Sequence, residues 1–246
     1  MSATRRCFLR MAGSAAAAAA TGAALGCASP AAATRRWAMA IDVRKCLELD
    51  GCRACINACH QAHNVPAIPD RAHEVKWIWK EPFERTFAIE DPDTVTAALR
   101  GREVLVFCNH CDNPPCVRVC PTQATWKRDD GVVAIDEHRC IGCRYCVAAC
   151  PYGSRSFNFV DPRPFLVHTT SEYPTRTRGV VEKCNLCEER LAKGQPPACV
   201  RACPGGAMLF GDLRDPDSEI RKTLAARYSI RRKPELGTRP QVYYVI

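Results

Sequence analysis

Sixteen of the eighteen cysteines fall into four groups of four, and no other feature constrains the fold of this 246-residue chain so strongly. We call these groups tetrads one to four. Tetrad three has gaps of two, two and three residues and is followed directly by Pro151. Proline has no backbone N–H and disfavours a helical residue before it, so the chain should leave such a site in an extended direction. The tetrads are Cys46, Cys52, Cys55, Cys59; Cys108, Cys111, Cys116, Cys120; Cys140, Cys143, Cys146, Cys150; and Cys184, Cys187, Cys199, Cys203.

The other three tetrads depart from this spacing to different degrees. Tetrads two and four keep a proline after their last cysteine, but one gap is lengthened to four residues after Cys111 and to eleven after Cys187. Tetrad one departs most, because five residues follow Cys46 and His60 occupies the place of the proline. Cys46 is therefore the weakest of the sixteen ligand candidates.

Thiolates at these spacings are typical of iron–sulfur clusters, in which each iron takes one cysteine. Four tetrads therefore predict four 4Fe-4S clusters. In two-cluster ferredoxins the fourth cysteine of a run ligates the other cluster, so tetrads work in pairs. Adjacent tetrads two and three predict one unit, and the simplest nesting pairs tetrad one with tetrad four. The predicted ligands are Cys46, Cys52, Cys55 and Cys203 for cluster 1; Cys184, Cys187, Cys199 and Cys59 for cluster 2; Cys108, Cys111, Cys116 and Cys150 for cluster 3; and Cys140, Cys143, Cys146 and Cys120 for cluster 4.

A structural protein held by zinc or by disulfides is the remote alternative. Small secreted scaffolds use many disulfides, and paired cysteines also form four-thiolate zinc sites. Neither explains why proline follows three of the four terminal cysteines, and a chain of this length needs no disulfides to build a core.

A catalyst in its own right is the alternative from another class, with the six histidines as candidate acids, bases or ligands. None has a metal-ligand spacing with a carboxylate or a nucleophile. His60 and His110 adjoin cysteines and are better interpreted as hydrogen-bond donors that tune a cluster. The sequence therefore predicts an electron-transfer protein with no catalytic residue.

Residues 1–33 have the layout of a signal peptide for the twin-arginine route. Arg5 and Arg6 precede a weakly apolar, alanine-rich stretch that ends in a small-residue run at Ala33. Because that route carries folded cargo, it suits a protein whose clusters are built before export, and we expect a periplasmic protein. Cys27 follows a partial lipoprotein box, which leaves its lipidation open.

The charge and hydropathy of the chain limit the classes of partner that we expect for it. Removing residues 1–33, with three arginines and no acidic residue, lowers the formal net charge from +9 to +6. The basic residues are scattered, which favours a solvated surface over nucleic-acid binding but still allows docking to an acidic partner. No stretch after residue 34 approaches eighteen apolar residues, so we expect a protein that is soluble or peripheral on the membrane.

The predicted fold class is α+β, with two nested bacterial-ferredoxin-like two-cluster units. Residues 34–103 and 161–215 would form the two halves of the outer unit, 104–160 the inner unit, and 216–246 a C-terminal helix and strand.

Short strands are predicted between the tetrads, and helical signal is concentrated late, where Ile220, Leu224 and Tyr228 share a face. The predicted strands are 75–79, 104–107, 132–135, 156–160, 207–210 and 242–246.

Three segments carry a family resemblance: Cys108-Asn-His-Cys-Asp-Asn-Pro-Pro-Cys-Val-Arg-Val-Cys-Pro121, Cys140-Ile-Gly-Cys-Arg-Tyr-Cys-Val-Ala-Ala-Cys-Pro-Tyr-Gly153 and Lys183-Cys-Asn-Leu-Cys-Glu-Glu-Arg-Leu191. They resemble the four-cluster electron-transfer subunits of polysulfide, dimethyl sulfoxide and nitrate reductases and of formate dehydrogenases. The resemblance covers nearly all of the chain after residue 33. It implies the nested pairing of tetrads one with four and two with three.

The chain more closely resembles the periplasmic iron–sulfur subunit of membrane complexes linked to dissimilatory sulfite reductase. The resemblance lies in an export signal of its own and in two segments, Cys59-His-Gln-Ala-His-Asn-Val-Pro66 and Val75-Lys-Trp-Ile-Trp-Lys-Glu-Pro82. This resemblance implies an integral membrane quinone-interacting subunit of the polysulfide-reductase type and a multihaem cytochrome c subunit as partners. We expect no nucleic-acid partner, given the scattered basic residues, and no direct small-molecule substrate. A beta subunit of a molybdopterin-type reductase or dehydrogenase is the alternative. The long first gap and Pro204-Gly205-Gly206, in place of Pro-Thr-Gly, depart from the family pattern.

Overall fold

Ten short strands and eight short helices make up the described part of a computed structural model, which covers residues 35–87 and 97–246. The predicted signal peptide, with Cys7 and Cys27, lies outside the described residues. The strands are Trp37–Asp42 (β1), Ile78–Pro82 (β2), Glu103–Phe107 (β3), Thr125–Lys127 (β4), Val133–Ile135 (β5), Ser156–Phe157 (β6), Val181–Glu182 (β7), Met208–Asp212 (β8), Ser229–Ile230 (β9) and Val242–Val245 (β10). The helices are Val43–Glu48 (α1), Ala54–Ala62 (α2), Phe83–Phe87 (α3), Pro115–Arg118 (α4), Tyr145–Ala148 (α5), Glu188–Leu191 (α6), Ala198–Arg201 (α7) and Glu219–Ala226 (α8), with 3₁₀ turns at Arg71–His73, Arg163–Phe165 and Pro234–Leu236.

A four-stranded sheet joins the two ends of the described chain, in the order β8, β1, β10, β9. Strand β1 is parallel to β10, with Met39 opposite Val242, and antiparallel to β8, with Met39 opposite Phe210. It is buried on both faces: Met39 and Ile41 belong to the main core, while the alternate alanines pack beneath Ile220 of α8. The sheet therefore ties the segment before tetrad one to the segments after tetrad four.

Close packing of α8 on this sheet depends on a glycine. A Cβ on Gly211 of β8 would lie 2.9 Å from Cγ2 of Ile220, which is fully buried. The absence of a side chain at this position lets the helix cover the sheet.

Three antiparallel two-stranded sheets connect the cysteine loops: β2 with β3, β4 with β5, and β6 with β7. The hydroxyl of Tyr244 in β10 donates to the carbonyl of Leu105 in β3 at 2.9 Å, which links the large sheet to the first of these pairs. The described residues belong to one compact unit.

Four of the short helices that carry cysteines pack in two pairs. Helix α2 of tetrad one lies against α7 of tetrad four, and α4 of tetrad two lies against α5 of tetrad three. Helix α4 begins with Pro115. Proline is favourable at this first position because the backbone N–H that it lacks would have no partner within the helix. The helix packing thus brings together the same pairs of tetrads that the nested arrangement requires.

Mixed helix and strand content in small sheets confirms the predicted α+β class. Several local predictions are wrong, among them the strand 156–160, of which only Ser156–Phe157 is a strand. The strand predicted from Val75 begins at Ile78, and before it the Lys76 N–H donates to the side-chain hydroxyl of Ser156 at 2.8 Å instead of to a neighbouring strand. Helix α8 ends at Ala226, so Tyr228 lies beyond it and is exposed.

Helical structure is also not concentrated late, since α2 in tetrad one has nine residues and is the longest described helix. Among the described residues, no helix combines the length and the apolar character needed to cross a bilayer.

Candidate iron–sulfur cluster sites

Cys46, Cys52 and Cys55 of tetrad one converge with Cys203 of tetrad four. Burial raises the pKa of the Cys55 thiol to about 11, and Cys46, Cys203 and Cys52 add to this rise by like-charge repulsion. The pKa of Cys46 is raised by burial and then by Cys203. Cys46, the weakest candidate on spacing, therefore lies within the group.

Cys59 lies with Cys184, Cys187 and Cys199 of tetrad four. Burial raises the pKa of Cys59 well above its usual value, and Cys184, Cys199 and Cys187 are the next causes. The pKa of Cys184 and that of Cys187 are each raised to about 12, chiefly by burial. Cys55 and Cys59 lie one turn apart on the same face of helix α2, so they reach the two thiol groups at successive levels along the helix, with α7 packed against it.

The thiols of tetrads two and three form two further groups. In one, Cys111 has its pKa raised to about 12 by burial and then by Cys108, with smaller contributions from Cys116 and Cys150. Burial and Cys108 likewise raise the pKa of Cys150.

The last group lines a cavity formed by Cys120, Cys140, Cys143 and Cys146. Burial would raise the pKa of Cys120, but hydrogen bonds from the Thr125 N–H, from the hydroxyl and N–H of Thr122 and from the Ala124 N–H outweigh it and lower the pKa. Such donors stabilise a thiolate and, in cluster proteins, tune the bound group.

The loops that hold these thiols are tightly turned. Gly142, between Cys140 and Cys143, has a φ of +70°, and a Cβ there would lie 2.4 Å from the carbonyl oxygen of Gly179. Only glycine allows the tetrad-three loop to approach the 178–181 segment so closely.

Backbone N–H groups also point at the sulfurs of tetrad four. They run from Leu186 to Cys184 Sγ (3.4 Å), from Ala198 to Cys187 Sγ (3.3 Å) and from Ala207 to Cys203 Sγ (3.3 Å).

All sixteen cysteines are free, so the disulfide alternative finds no pairing in the described residues. Groups of four soft donors, mostly buried and mutually repelling as thiolates, fit a positively charged centre. The N–H groups aimed at sulfur fit an iron–sulfur cluster, whose thiolates accept such hydrogen bonds. The donor set alone would also suit zinc.

Neither of the two histidines predicted to tune a cluster donates to a cysteine sulfur among the described residues, although His60 Nε2 and His110 Nε2 are both buried without a hydrogen-bond partner. His60 makes no hydrogen bond to sulfur, and burial lowers its pKa. His110 is buried and accepts from the Val133 N–H at 3.1 Å, and burial with the charges of Lys183 and Arg155 holds its pKa well below its usual range.

His63, four residues after Cys59, instead lies with Nδ1 3.8 Å from Cys59 Sγ and 2.9 Å from Cys59 O. Its Nε2 contacts Glu189 at 3.1 Å, so it links the cluster 2 thiols to a carboxylate. The spacing of four residues on a helix was the signal for this contact.

Comparison with known proteins shows the protein family in which such sites occur. The family model described as a 4Fe-4S dicluster domain matches residues 104–161 and 168–213. The Hdr-like menaquinol oxidoreductase iron–sulfur subunit 1 of Archaeoglobus fulgidus is 41% identical over 232 residues, which cover 85% of this chain and 83% of the relative.

A polysulfide reductase polypeptide of Wolinella succinogenes is 36% identical over 212 residues, covering 86% of this chain and 94% of the relative. The 246-residue chain therefore belongs to the family of ferredoxin-type iron–sulfur subunits of the polysulfide and dimethyl sulfoxide reductase type. A protein of Halobacterium salinarum, named as an iron–sulfur subunit of a dimethyl sulfoxide reductase, is 38% identical over 218 residues, which cover 85% of this chain and 78% of the relative.

Members of this iron–sulfur subunit family transfer electrons within oxidoreductase complexes and are not themselves catalytic. The family match selects 4Fe-4S clusters over zinc for the thiol groups.

Proposed function

We propose that this iron–sulfur subunit carries four 4Fe-4S clusters in two nested ferredoxin-like units, with the ligand sets predicted from the spacing. The observation that supports this most directly is the crossing of the thiols: Cys59 lies with tetrad four and Cys203 with tetrad one. When bound, the clusters would supply one-electron oxidation and reduction. The protein would hold them in insulated, closely spaced positions.

We further propose a place for the subunit in a periplasm-facing, membrane-associated redox complex of sulfur metabolism linked to dissimilatory sulfite reductase, as a DsrO-type subunit. Support for the periplasm comes from the twin-arginine pattern of residues 1–33, and support for a quinone-linked complex from the menaquinol oxidoreductase named for the archaeal relative. The partners would be an integral membrane quinone-interacting subunit and a multihaem cytochrome c subunit, with this chain peripheral on the membrane.

One surface suits electron exchange with a partner. Cys143 is the one exposed thiol of the sixteen, and its loop also exposes Ile141 (67%) and Tyr145 (63%). Arg144 lies over the rings of Phe157 and Phe159 and forms no ion pair with any described carboxylate. We call residues 141–145 the exposed loop. Its apolar and cationic character favours docking of an acidic redox partner near cluster 4.

The first experiment measures iron and colour in anaerobically purified protein. We expect a brown protein with about sixteen irons per chain. A colourless, iron-free preparation would eliminate the electron-transfer proposal, and zinc at one atom per tetrad would favour the structural alternative.

A beta subunit of a molybdopterin-type reductase is the second candidate, because polysulfide and dimethyl sulfoxide reductase subunits are among the relatives. Affinity purification from solubilised membranes separates the two. Recovery of a polytopic membrane protein with a multihaem cytochrome supports the sulfite-reductase-linked complex. Recovery of a molybdenum-containing subunit would replace it with the second candidate.

A further inference from the structure

A buried arginine with no carboxylate partner lies between the thiol groups of clusters 3 and 4. Arg155 is 4% exposed. Its Nη1 donates to Thr125 Oγ1 at 3.0 Å, and its Nη2 donates to Cys116 Sγ at 3.1 Å. Within residues 35–87 and 97–246 it forms no ion pair with an aspartate or a glutamate.

Two other buried arginines show what is unusual about Arg155. Arg176 pairs with Glu182 at 2.7 Å, and Arg232 pairs with Glu81 at 3.4 Å. Both arginines thus have a protein counter-charge, as buried guanidinium groups require. Among the residues that the structure describes, Arg155 has only sulfur and a hydroxyl as side-chain partners.

The missing counter-charge points to the cysteine sulfurs. A guanidinium stays protonated in proteins, and a buried charge without an opposite charge is strongly unfavourable. Burial by itself would lower the pKa of Arg155, but the thiols of Cys116, Cys146 and Cys108 raise it by more. Cys116 and Cys108 belong to the cluster 3 group and Cys146 to the cluster 4 group, so this cation lies close to both.

We propose that Arg155 raises the reduction potentials of clusters 3 and 4 by placing a fixed positive charge, and one hydrogen bond to sulfur, at the boundary between them. The proposal rests on the proposed function, because it requires clusters in these thiol groups. Reduction adds negative charge, and a nearby cation stabilises the reduced state more than the oxidised state. Hydrogen bonds to ligand sulfur and local charge are established determinants of cluster potential.

The test is a redox titration of the full chain, followed by electron paramagnetic resonance, on anaerobically purified wild type, Arg155→Gln, Arg155→Lys and Thr125→Val. Arg155→Gln removes the charge, and Arg155→Lys retains it. Thr125→Val is the matched control, since it removes the other hydrogen-bond partner of Arg155 and leaves the charge in place.

In Arg155→Gln we expect two of the four one-electron transitions to shift at least about tenfold towards the oxidised form at a fixed potential, which corresponds to about 59 mV. Arg155→Lys and Thr125→Val should stay within about threefold of wild type, and the other two transitions should not move. Fully loaded Arg155→Gln protein with unchanged potentials, or an equal shift of all four transitions, would overturn the proposal.

Iron content distinguishes this proposal from the proposed function. Wild-type protein without iron would overturn the proposed function and this proposal with it, whereas iron-loaded wild type tests Arg155 alone. If the Arg155→Gln variant fails to bind its clusters, the Arg155→Lys variant tests the role of Arg155 in its place. Loaded Arg155→Lys protein with potentials near wild type supports a charge role, and failure of both variants to load would assign Arg155 to packing and overturn the proposal.

Discussion

In what we call crossed ligation, the last cysteine of each tetrad ligates the cluster of the other tetrad in its pair. Cys59 is the residue that most directly distinguishes this arrangement from one in which each tetrad holds its own cluster. It belongs to tetrad one by sequence, yet the thiols that repel it most are those of tetrad four. Cys55, one turn earlier on the same helix, belongs to the other group. Neighbouring cysteines on one helix would therefore serve different clusters, and substitutions at them should have different partners.

Crossed ligation predicts a specific pattern of iron loss. Cys59→Ala and Cys187→Ala should each remove cluster 2, about four irons per chain, and the double variant should lose no more than either single variant. Cys59→Ala combined with Cys55→Ala should lose about eight irons, because two clusters lose a ligand. Iron analysis with cluster spectroscopy measures this. Equal losses from the two double variants would contradict the crossed ligand sets.

At the scale of elements, the cysteine loops depend on close contacts with neighbouring segments. The tetrad-three loop lies on the segment before β7 through Gly142, and α8 lies on β8 through Gly211. In both places a missing side chain sets the distance between elements. Gly142 has the additional constraint of a positive φ.

Gly142→Ala should destabilise the tetrad-three loop more than its backbone conformation alone explains. Gly153→Ala is the matched control, because Gly153 has a φ of +62° and nothing within 4 Å of an added Cβ. The control should cost about 1–2 kcal/mol, and Gly142→Ala about 1–3 kcal/mol more.

Thermal unfolding under anaerobic conditions measures both variants, with an expected difference in apparent Tm of about 2–4 °C for each kcal/mol. Equal shifts in the two variants would show that the contact with Gly179 does not matter.

At the scale of the whole molecule, exposure of the thiols is uneven. Most of the sixteen are buried or half-buried, and Cys143 on the exposed loop is the exception. The charge there is positive at Arg144, in keeping with the net charge of the chain. We expect electrons to enter or leave most readily at this loop.

Arg144→Glu should therefore slow oxidation of the reduced protein by ferricyanide, an anionic probe, several-fold at low salt, and should speed oxidation by the cationic hexaamminecobalt(III) ion. Arg221→Glu on α8 is the control, since it makes the same charge change at an exposed site on a helix that carries no cysteine. Stopped-flow absorbance measures the rates. High salt should remove the difference, and equal effects of Arg144→Glu and Arg221→Glu would contradict an entry point at the exposed loop.

Much of what was predicted from the sequence depends on local chain geometry. Residues two or three apart cannot separate far, so the spacing alone predicted cysteine loops, cubane clusters and the pairing of adjacent tetrads two and three. The strands at 104–107 and 242–246 were likewise predicted from local apolar runs, and β3 and β10 overlap them. In contrast, β1 was missed, because its alternation of alanines with larger residues is explained only by α8 on one face and the main core on the other.

By itself, the sequence determined how many thiols this protein has, how they are spaced and which chemistry they suit, since these depend on residue type and short chain connections. Tertiary structure decided which distant side chains meet: His63 with Glu189, and Arg155 with Cys116, 39 residues away. The physical reason is that packing and the burial of charge act between segments far apart in the chain. Spacing along the chain carries no information about them.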